Sequence, residues 1–387
     1  MSSAKPLAST PPMGWNSWNM FGSSIHESSI RETADALASS GLRDLGYAYL
    51  VIDDCWSVKA ARDSDGNLVA DPAKFPGGMK ALCDYVHDLG LKIGIYSDAA
   101  EKTCAGYPGS LGFEEQDAKL WASWGFDFLK YDYCSAPDDQ AVARERYGDM
   151  GAALRATGRE FLFSLCEWGG RAPHLWGREV GAQMWRVSGD IFDSWINVWV
   201  PHGHGYYGLG VDVSLDIAND LADFGGPGGW NDLDMLVVGL KGKGSVSGGG
   251  LSFLEYQTHM SLWCIACSPL MIGCDIRKMD TETAFLLTNT EVLAVNQDPI
   301  GKPARRVVRQ GTCEIWRKPL ADGSVAVALI NRGSSGSDVS LRSSDIGLLD
   351  TRKQVRDLWK QEEIADLERQ TTLRVQPHET ILLKITA

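Results

Sequence analysis

Carboxylates recur at matching places along this chain of 387 residues. Asp132 stands near the end of the apolar stretch 126–134, FDFLKYDYC. Asp53 with Asp54, Asp98, Glu167, Asp190, Asp234 and Asp275 close six other hydrophobic runs. Trp15, Trp56, Tyr96, Tyr131, Trp168, Trp185 and Trp230 are their aromatic companions, and Lys130 and Arg186 the nearby cations. Carboxylates accept hydrogen bonds from neighbouring hydroxyls and aromatic faces hold C–H surfaces, so this mixture suits a sugar pocket. Two carboxyl groups across an anomeric carbon could also break a glycosidic bond. Other chemistry competes for the same residues. Acid clusters bind Mg2+ or Zn2+, but none of the seven histidines ends such a run. A strand-end aspartate can also do no more than cap the next loop. His202 and His204 form an HxH pair in a Gly-rich loop, which reads as a rim element before a metal pair. No metal and no cofactor is expected.

Helix and strand patterns alternate in the way needed to bring those acids together. Apolar runs at 12–18, 47–56, 91–98, 126–134, 161–167, 183–190, 229–235 and 269–275 read as buried strands. Helical spacing fills 27–45, 78–90, 112–125, 141–158, 174–180, 214–224, 253–267 and 281–295, with 195–210 as a long loop. Eight strand–helix units predict an α/β fold, the (β/α)8 TIM barrel, whose active site is built at the C-terminal ends of its strands. After 296–299 the texture changes to short alternating runs at 313–316, 324–331, 338–341, 355–359, 372–375 and 380–385. These predict a C-terminal antiparallel β-sandwich, giving a catalytic barrel at 1–299 and a sandwich at 300–387.

The net charge of −13 argues against nucleic acid or an anionic membrane as partner. No apolar run reaches the ~20 residues that span a bilayer. Nine cysteines leave at least one without an intrachain partner. Cys264 and Cys267 have CxxC spacing inside an apolar helical run and read as buried thiols. The first residues, MSSAKPLASTPP, lack the apolar core of a signal peptide.

Nine segments in order carry a family resemblance: PPMGWNSW at 11–18, IDDCW at 52–56, GIYSD at 94–98, TCAG at 103–106, KYD at 130–132, CEW at 166–168, GDI at 189–191, GPGGWND at 226–232 and IGCD at 272–275. Together they make the chain resemble glycoside hydrolase family 27, the α-galactosidases and α-N-acetylgalactosaminidases. The resemblance implies that Asp132 is a nucleophile and Asp190 a general acid/base, in a retaining reaction that places their carboxyl groups about 5–5.5 Å apart. Lys130 beside Asp132 is expected to keep that carboxyl ionised, and Asp190 to need a raised pKa. Asp53 and Asp54 would hold the 4- and 6-hydroxyls of galactose, with Trp15 as the aromatic wall. Lys130 and Arg186 would meet the hydroxyls at C2 and C3, with Asp234 supporting Arg186. Tyr96, Cys104 and Trp168 would line the pocket, and Cys104 would be bridged to Cys134. Cys55 and Cys166 have no cysteine in reach to complete the family's other bridges.

The resemblance also bears on substrate. Glu167 would occupy the space that an N-acetyl group at C2 needs, which implies galactose. The implied partner is a galactose-containing oligosaccharide or glycoconjugate, released by exo attack. An α-N-acetylgalactosaminidase, a β-L-arabinopyranosidase and an inactive galactose-binding barrel are the alternatives. The stretch 199–212 is longer than the family norm and is expected to form a rim or a homo-oligomer contact. The family is commonly exported or lysosomal, whereas unpaired thiols suit a reducing compartment, so location stays open.

Overall fold

Eight short parallel strands close on themselves in the computed structural model, which describes residues 7–200, 206–349 and 351–386. In chain order the strands are β1 (Met13–Asn16), β2 (Tyr49–Val51), β3 (Lys92–Asp98), β4 (Phe128–Asp132), β5 (Leu162–Cys166), β6 (Met184–Arg186), a hairpin of β7 (Val198–Val200) and β8 (Tyr206–Gly208), then β9 (Trp230–Asp232) and β10 (Leu270–Ile272). The barrel sheet runs β10-β1-β2-β3-β4-β5-β6-β9. It is closed where the Leu236 N–H donates to Met271 O at 2.7 Å and the Gly273 N–H to Leu236 O at 3.0 Å. This is the (β/α)8 barrel that the alternating pattern predicts. Among the described residues no helix is long and apolar enough to cross a membrane.

Strand register sorts the side chains into two sets, because successive residues point to opposite faces. Gly14, Tyr49, Gly94, Phe128, Leu162, Met184, Trp230 and their even-spaced neighbours share the barrel interior. Tyr49, Val51, Phe128, Leu162, Met184, Met235 and Met271 pack there as one apolar plug. Trp15, Leu50, Ile93, Leu129, Tyr131, Phe163 and Trp185 face the other way and form the layer between strands and helices. In β4 the rule therefore places Lys130 and Asp132 inside, above Phe128, and Tyr131 outside against Tyr147.

Several elements are shorter or more divided than the sequence pattern suggests. The stretch 195–210 is not all loop but contains the β7–β8 hairpin; His202 and His204 lie outside the described residues. The helix expected over 281–295 is two, Thr281–Thr288 and Thr290–Asn296. Asn289 divides them, and its Oδ1 accepts the backbone N–H groups of Glu291 and Val292 at the start of the second.

Eight antiparallel strands follow: β11 (Arg305–Gln310), β12 (Cys313–Pro319), β13 (Val325–Asn331), β14 (Ser337–Arg342), β15 (Lys353–Asp357), β16 (Glu362–Leu367), β17 (Gln370–Val375) and β18 (Thr380–Thr386). One sheet runs β11-β12-β13-β18-β15-β16, and β14 pairs with β17 beside it. Ile315, Val327, Leu329, Leu341, Val355 and Leu383 are among the buried residues of their shared core. The larger sheet lies on the helix Phe253–Ile265, which touches β13 and β18 and is buried at every residue from Tyr256 to Ile265. Trp359 Nε1 donates to Ser261 Oγ across this contact at 2.8 Å. Nearby, the buried Glu314 accepts from Arg306, Arg309 and Arg332. Arg332 also forks onto Asp212 and Asp216 of the helix Val211–Asp220.

Candidate active site

Interior-facing positions at the strand ends converge on Asp132. Its Oδ2 accepts the Tyr96 hydroxyl at 2.9 Å and its Oδ1 the backbone N–H of Tyr133 at 3.0 Å. Cys104 Sγ lies 3.6 Å from Oδ2. Cys104 is bridged to Cys134, with Cα atoms 5.1 Å apart, so the disulfide clamps the loops after β3 and β4 beside this carboxyl. Asp98, fully buried next to it, accepts the N–H groups of Ala100 and Cys134.

A second group surrounds Lys130. Its Nζ bonds Asp53 Oδ2 at 2.8 Å, and Asn16 Nδ2 bonds the same oxygen at 2.7 Å. Asp54 accepts the N–H groups of Cys55 and Ala105. A third group stands on β6. The guanidinium of Arg186 is shared between Asp234 Oδ1 at 3.0 Å and Asp190 Oδ1 at 3.1 Å. Asp234 Oδ2 also accepts the N–H of Ile191, so one carboxylate steadies both the arginine and the Asp190 loop. Asp190 is not part of its strand: β6 ends at Arg186, and Asp190 reaches the mouth on the loop beyond, with a third of its side chain exposed. Glu167 lies beneath the surface after β5. Its Oε2 takes the Arg171 N–H at 2.6 Å, while Oε1 has no partner.

Holding so many acids in one dry place has an electrostatic consequence. Burial pushes Asp132 well above the usual carboxylate range, Lys130 pulls it back, and the Asp190 charge adds to the rise. Lys130, expected to keep this carboxyl ionised, does favour the charged form, but its ammonium engages Asp53 and burial is the larger influence. Burial likewise lifts Glu167 to about 7 against the pull of Arg171, and raises Asp54 against its two backbone N–H bonds. The backbone is strained at the same rim. Cys55, Ser135, Trp168 and Asp234, each just past a strand end, have φ of 73°, 56°, 57° and 84°. Among the described residues, Asp98, Asp132, Cys104 and Cys134 bring ligand-type atoms within 4.8 Å of one another. The two sulfurs are joined to each other, however, and a disulfide lacks the thiolate through which cysteine binds a metal.

Residues 10–298 match the family described as alpha galactosidase A, and residues 310–385 the alpha galactosidase C-terminal beta sandwich domain. The chain belongs to the α-galactosidase family. It is 48% identical over 357 residues to the α-galactosidase of Cyamopsis tetragonoloba, covering 92% of this chain and 80% of that one. Among solved structures, α-galactosidase I of Mortierella vinacea superposes with a TM-score of 0.92 at 39% identity, covering 99% and 98% of the two chains. The α-galactosidase of Saccharomyces cerevisiae with raffinose gives 0.89 at 31%, covering 99% of each. As a member of this α-galactosidase family, the protein is a glycoside hydrolase.

Against this α-galactosidase frame, one expected pocket residue is displaced. Trp15 is fully buried, donates its Nε1–H to Cys274 O at 2.8 Å and packs on Phe21. It sits on the outer face of β1 and has no surface to offer a sugar. The half-buried indole that packs on the interior plug is Trp18, just past the strand end. Tyr131 and Trp185 also face the helices. Trp56 packs edge-on against Trp124 while its Nε1–H donates to Tyr96 O. Trp230 begins its strand and donates to Ala8 O. Asp98 joins the mouth as the strand-end pattern suggested, and Asn16 and Asp232 join it without having been singled out. Counting back one alternate residue from Asp234 would have found Asp232, and Asn16 pairs in register with Val51, on the side of Asp53. Cys55, Cys166 and the other five unbridged cysteines are buried, including Cys264 and Cys267.

Proposed function

We propose that this protein is a retaining, exo-acting α-galactosidase that removes terminal α-D-galactosyl residues from oligosaccharides or glycoconjugates by double displacement. The observation that carries this reading is a buried Asp132, aligned by Tyr96 and Tyr133, whose pKa the charge of Asp190 helps to raise, while Arg186 bonds Asp190 and is itself braced by Asp234. In the first step an Asp132 oxygen attacks the anomeric carbon. The bond to the leaving oxygen breaks as that oxygen takes the Asp190 proton. In the second, Asp190 takes a proton from water, the water oxygen attacks the same carbon, and Asp132 is released. Inversion at each step returns the starting configuration.

The remaining groups fit a galactose. Asp53, Asp54 and Lys130 form an acceptor–donor set for the C4 and C6 side, with Trp18 in place of Trp15 as the aromatic wall. Arg186 would serve the C2 and C3 side, with Glu167 beneath the surface leaving no room for an N-acetyl group. Trp168 and Tyr96 complete the lining. The relative from Saccharomyces cerevisiae with raffinose supports an oligosaccharide substrate. Proton NMR of the reaction on an aryl α-galactoside tests the reading. α-Galactose is expected to appear first, and the aryl α-N-acetylgalactosaminide and β-L-arabinopyranoside to react far more slowly. A β-anomer first would overturn double displacement; faster cleavage of either competitor would overturn the substrate.

The raised pKa of Asp132 adds a pH expectation. The nucleophile must be ionised, and its ionised fraction is lost as pH falls through the raised value. The acid limb of kcat/KM should therefore lie clearly above the ordinary aspartate value of about 3.9. A profile that stays flat down to that value would show that burial does not govern Asp132.

A further inference from the structure

The loop that carries Asp190 also carries an apolar surface that the chemistry at the anomeric carbon leaves unused. The Leu209 N–H donates to Asp190 O at 2.9 Å and the Phe192 N–H to Leu209 O at 2.8 Å, so the β7–β8 hairpin is rooted on the backbone of Asp190 itself. The root is tightly built. A Cβ on Gly208 would stand 2.2 Å from the Phe192 ring, and the Gly210 N–H donates to Asn197 Oδ1 at 2.9 Å. Trp195 is buried at its base, stacked on His378 with centroids 4.3 Å apart. Beyond that base the character changes: Ile196 is 66% exposed and Trp199 58%. Trp199 pairs in register with Tyr207, two residues or ~7 Å of strand from Leu209. The limb 195–200, WINVWV, has no charged residue.

We propose that Ile196 and Trp199 form a leaving-group subsite, a platform for the C–H face of the sugar that follows the terminal galactose. The inference rests on the α-galactosidase reading. A general acid must touch the glycosidic oxygen, so the departing sugar leaves across the loop that holds the acid. Two exposed apolar side chains beside a site mark a contact surface, and an uncharged indole suits the apolar face of a neutral pyranose.

The test compares raffinose, whose leaving group is a disaccharide, with α-galactosyl fluoride, whose leaving group is too small to reach the hairpin. Trp199→Ala should lower kcat/KM on raffinose about tenfold, the equivalent of one aromatic contact, and leave the fluoride unchanged. Trp199→Phe should keep most of the raffinose rate. Equal losses on both substrates, or no loss on raffinose, would overturn the subsite. Light scattering adds a separate arm: if Trp199→Ala breaks an oligomer while raffinose kinetics hold, the face joins copies of this chain and the proposal fails. A wild-type enzyme that cleaves neither substrate would instead remove the α-galactosidase reading, and the subsite with it.

Discussion

Asp132→Asn is expected to lower kcat/KM on α-galactosides by about 10^4-fold or more, the scale at which removal of a nucleophile acts. The asparagine can still accept the Tyr133 N–H and meet the Tyr96 hydroxyl, so the fold should survive. Its thermal midpoint at neutral pH should be no lower than wild type. Burial raises the Asp132 pKa, so the folded state bears a cost for the ionised form that a neutral amide removes. With azide and α-galactosyl fluoride, the smaller Asp132→Gly should form β-galactosyl azide, because azide enters the space that the missing side chain vacates. Wild-type rates in Asp132→Asn would end the nucleophile assignment.

Asp190→Asn should separate substrates by leaving group. Loss of a general acid costs about 10^2 to 10^4-fold where the leaving oxygen needs a proton, as in raffinose. α-Galactosyl fluoride needs little help to depart, so its first step should be far less impaired. Azide should then accelerate turnover of the fluoride and give α-galactosyl azide, since it attacks the Asp132-linked intermediate from the side of the missing base. Asp132→Gly and Asp190→Asn thus yield opposite anomers. Azide products of the same configuration from both would show that the two carboxyl groups do not play complementary roles.

The barrel was legible because strands buried on both faces read as apolar runs and seven of the eight end near an acid. Position within a strand was less so. An apolar run shows that a strand exists but not which residue turns inward, and at β1 the first tryptophan, Trp15, is on the wrong face for the role assigned to it. Alternation was available as a signal, since Asn16 shares the side of Asp53 whereas Trp15 shares that of Leu50. The left-handed turns at Cys55, Ser135, Trp168 and Asp234 had no such signal, because none falls on the glycine that usually marks one. In the sandwich, the strands that went unread are β11 and β16, with sequences RRVVRQ and EEIADL. Both are sheet edges, where charge discourages pairing with other chains and erases the apolar alternation. The electrostatics of Asp132 also lay beyond the sequence. Adjacency of Lys130 in the chain gave no hint that its ammonium would be taken by Asp53.

The contact between barrel and sandwich bears on how such a chain can be inherited. Ordinary barrel helices show their polar face to water, but in Phe253–Ile265 that face, with Gln257, Thr258 and Ser261, bonds the sandwich instead, because β13 and β18 cover it. Arg332 supplies the cation for Asp212 and Asp216 on the helix that follows the hairpin. A gene fragment ending near residue 300 would encode a barrel with a normally buried helix uncovered, its bonds to the sandwich lost, and two acids stripped of their partner. Recombination that exchanges catalytic barrels within this family must therefore carry the terminal sheet along, and the breakpoints that survive selection should fall outside the pair rather than between them.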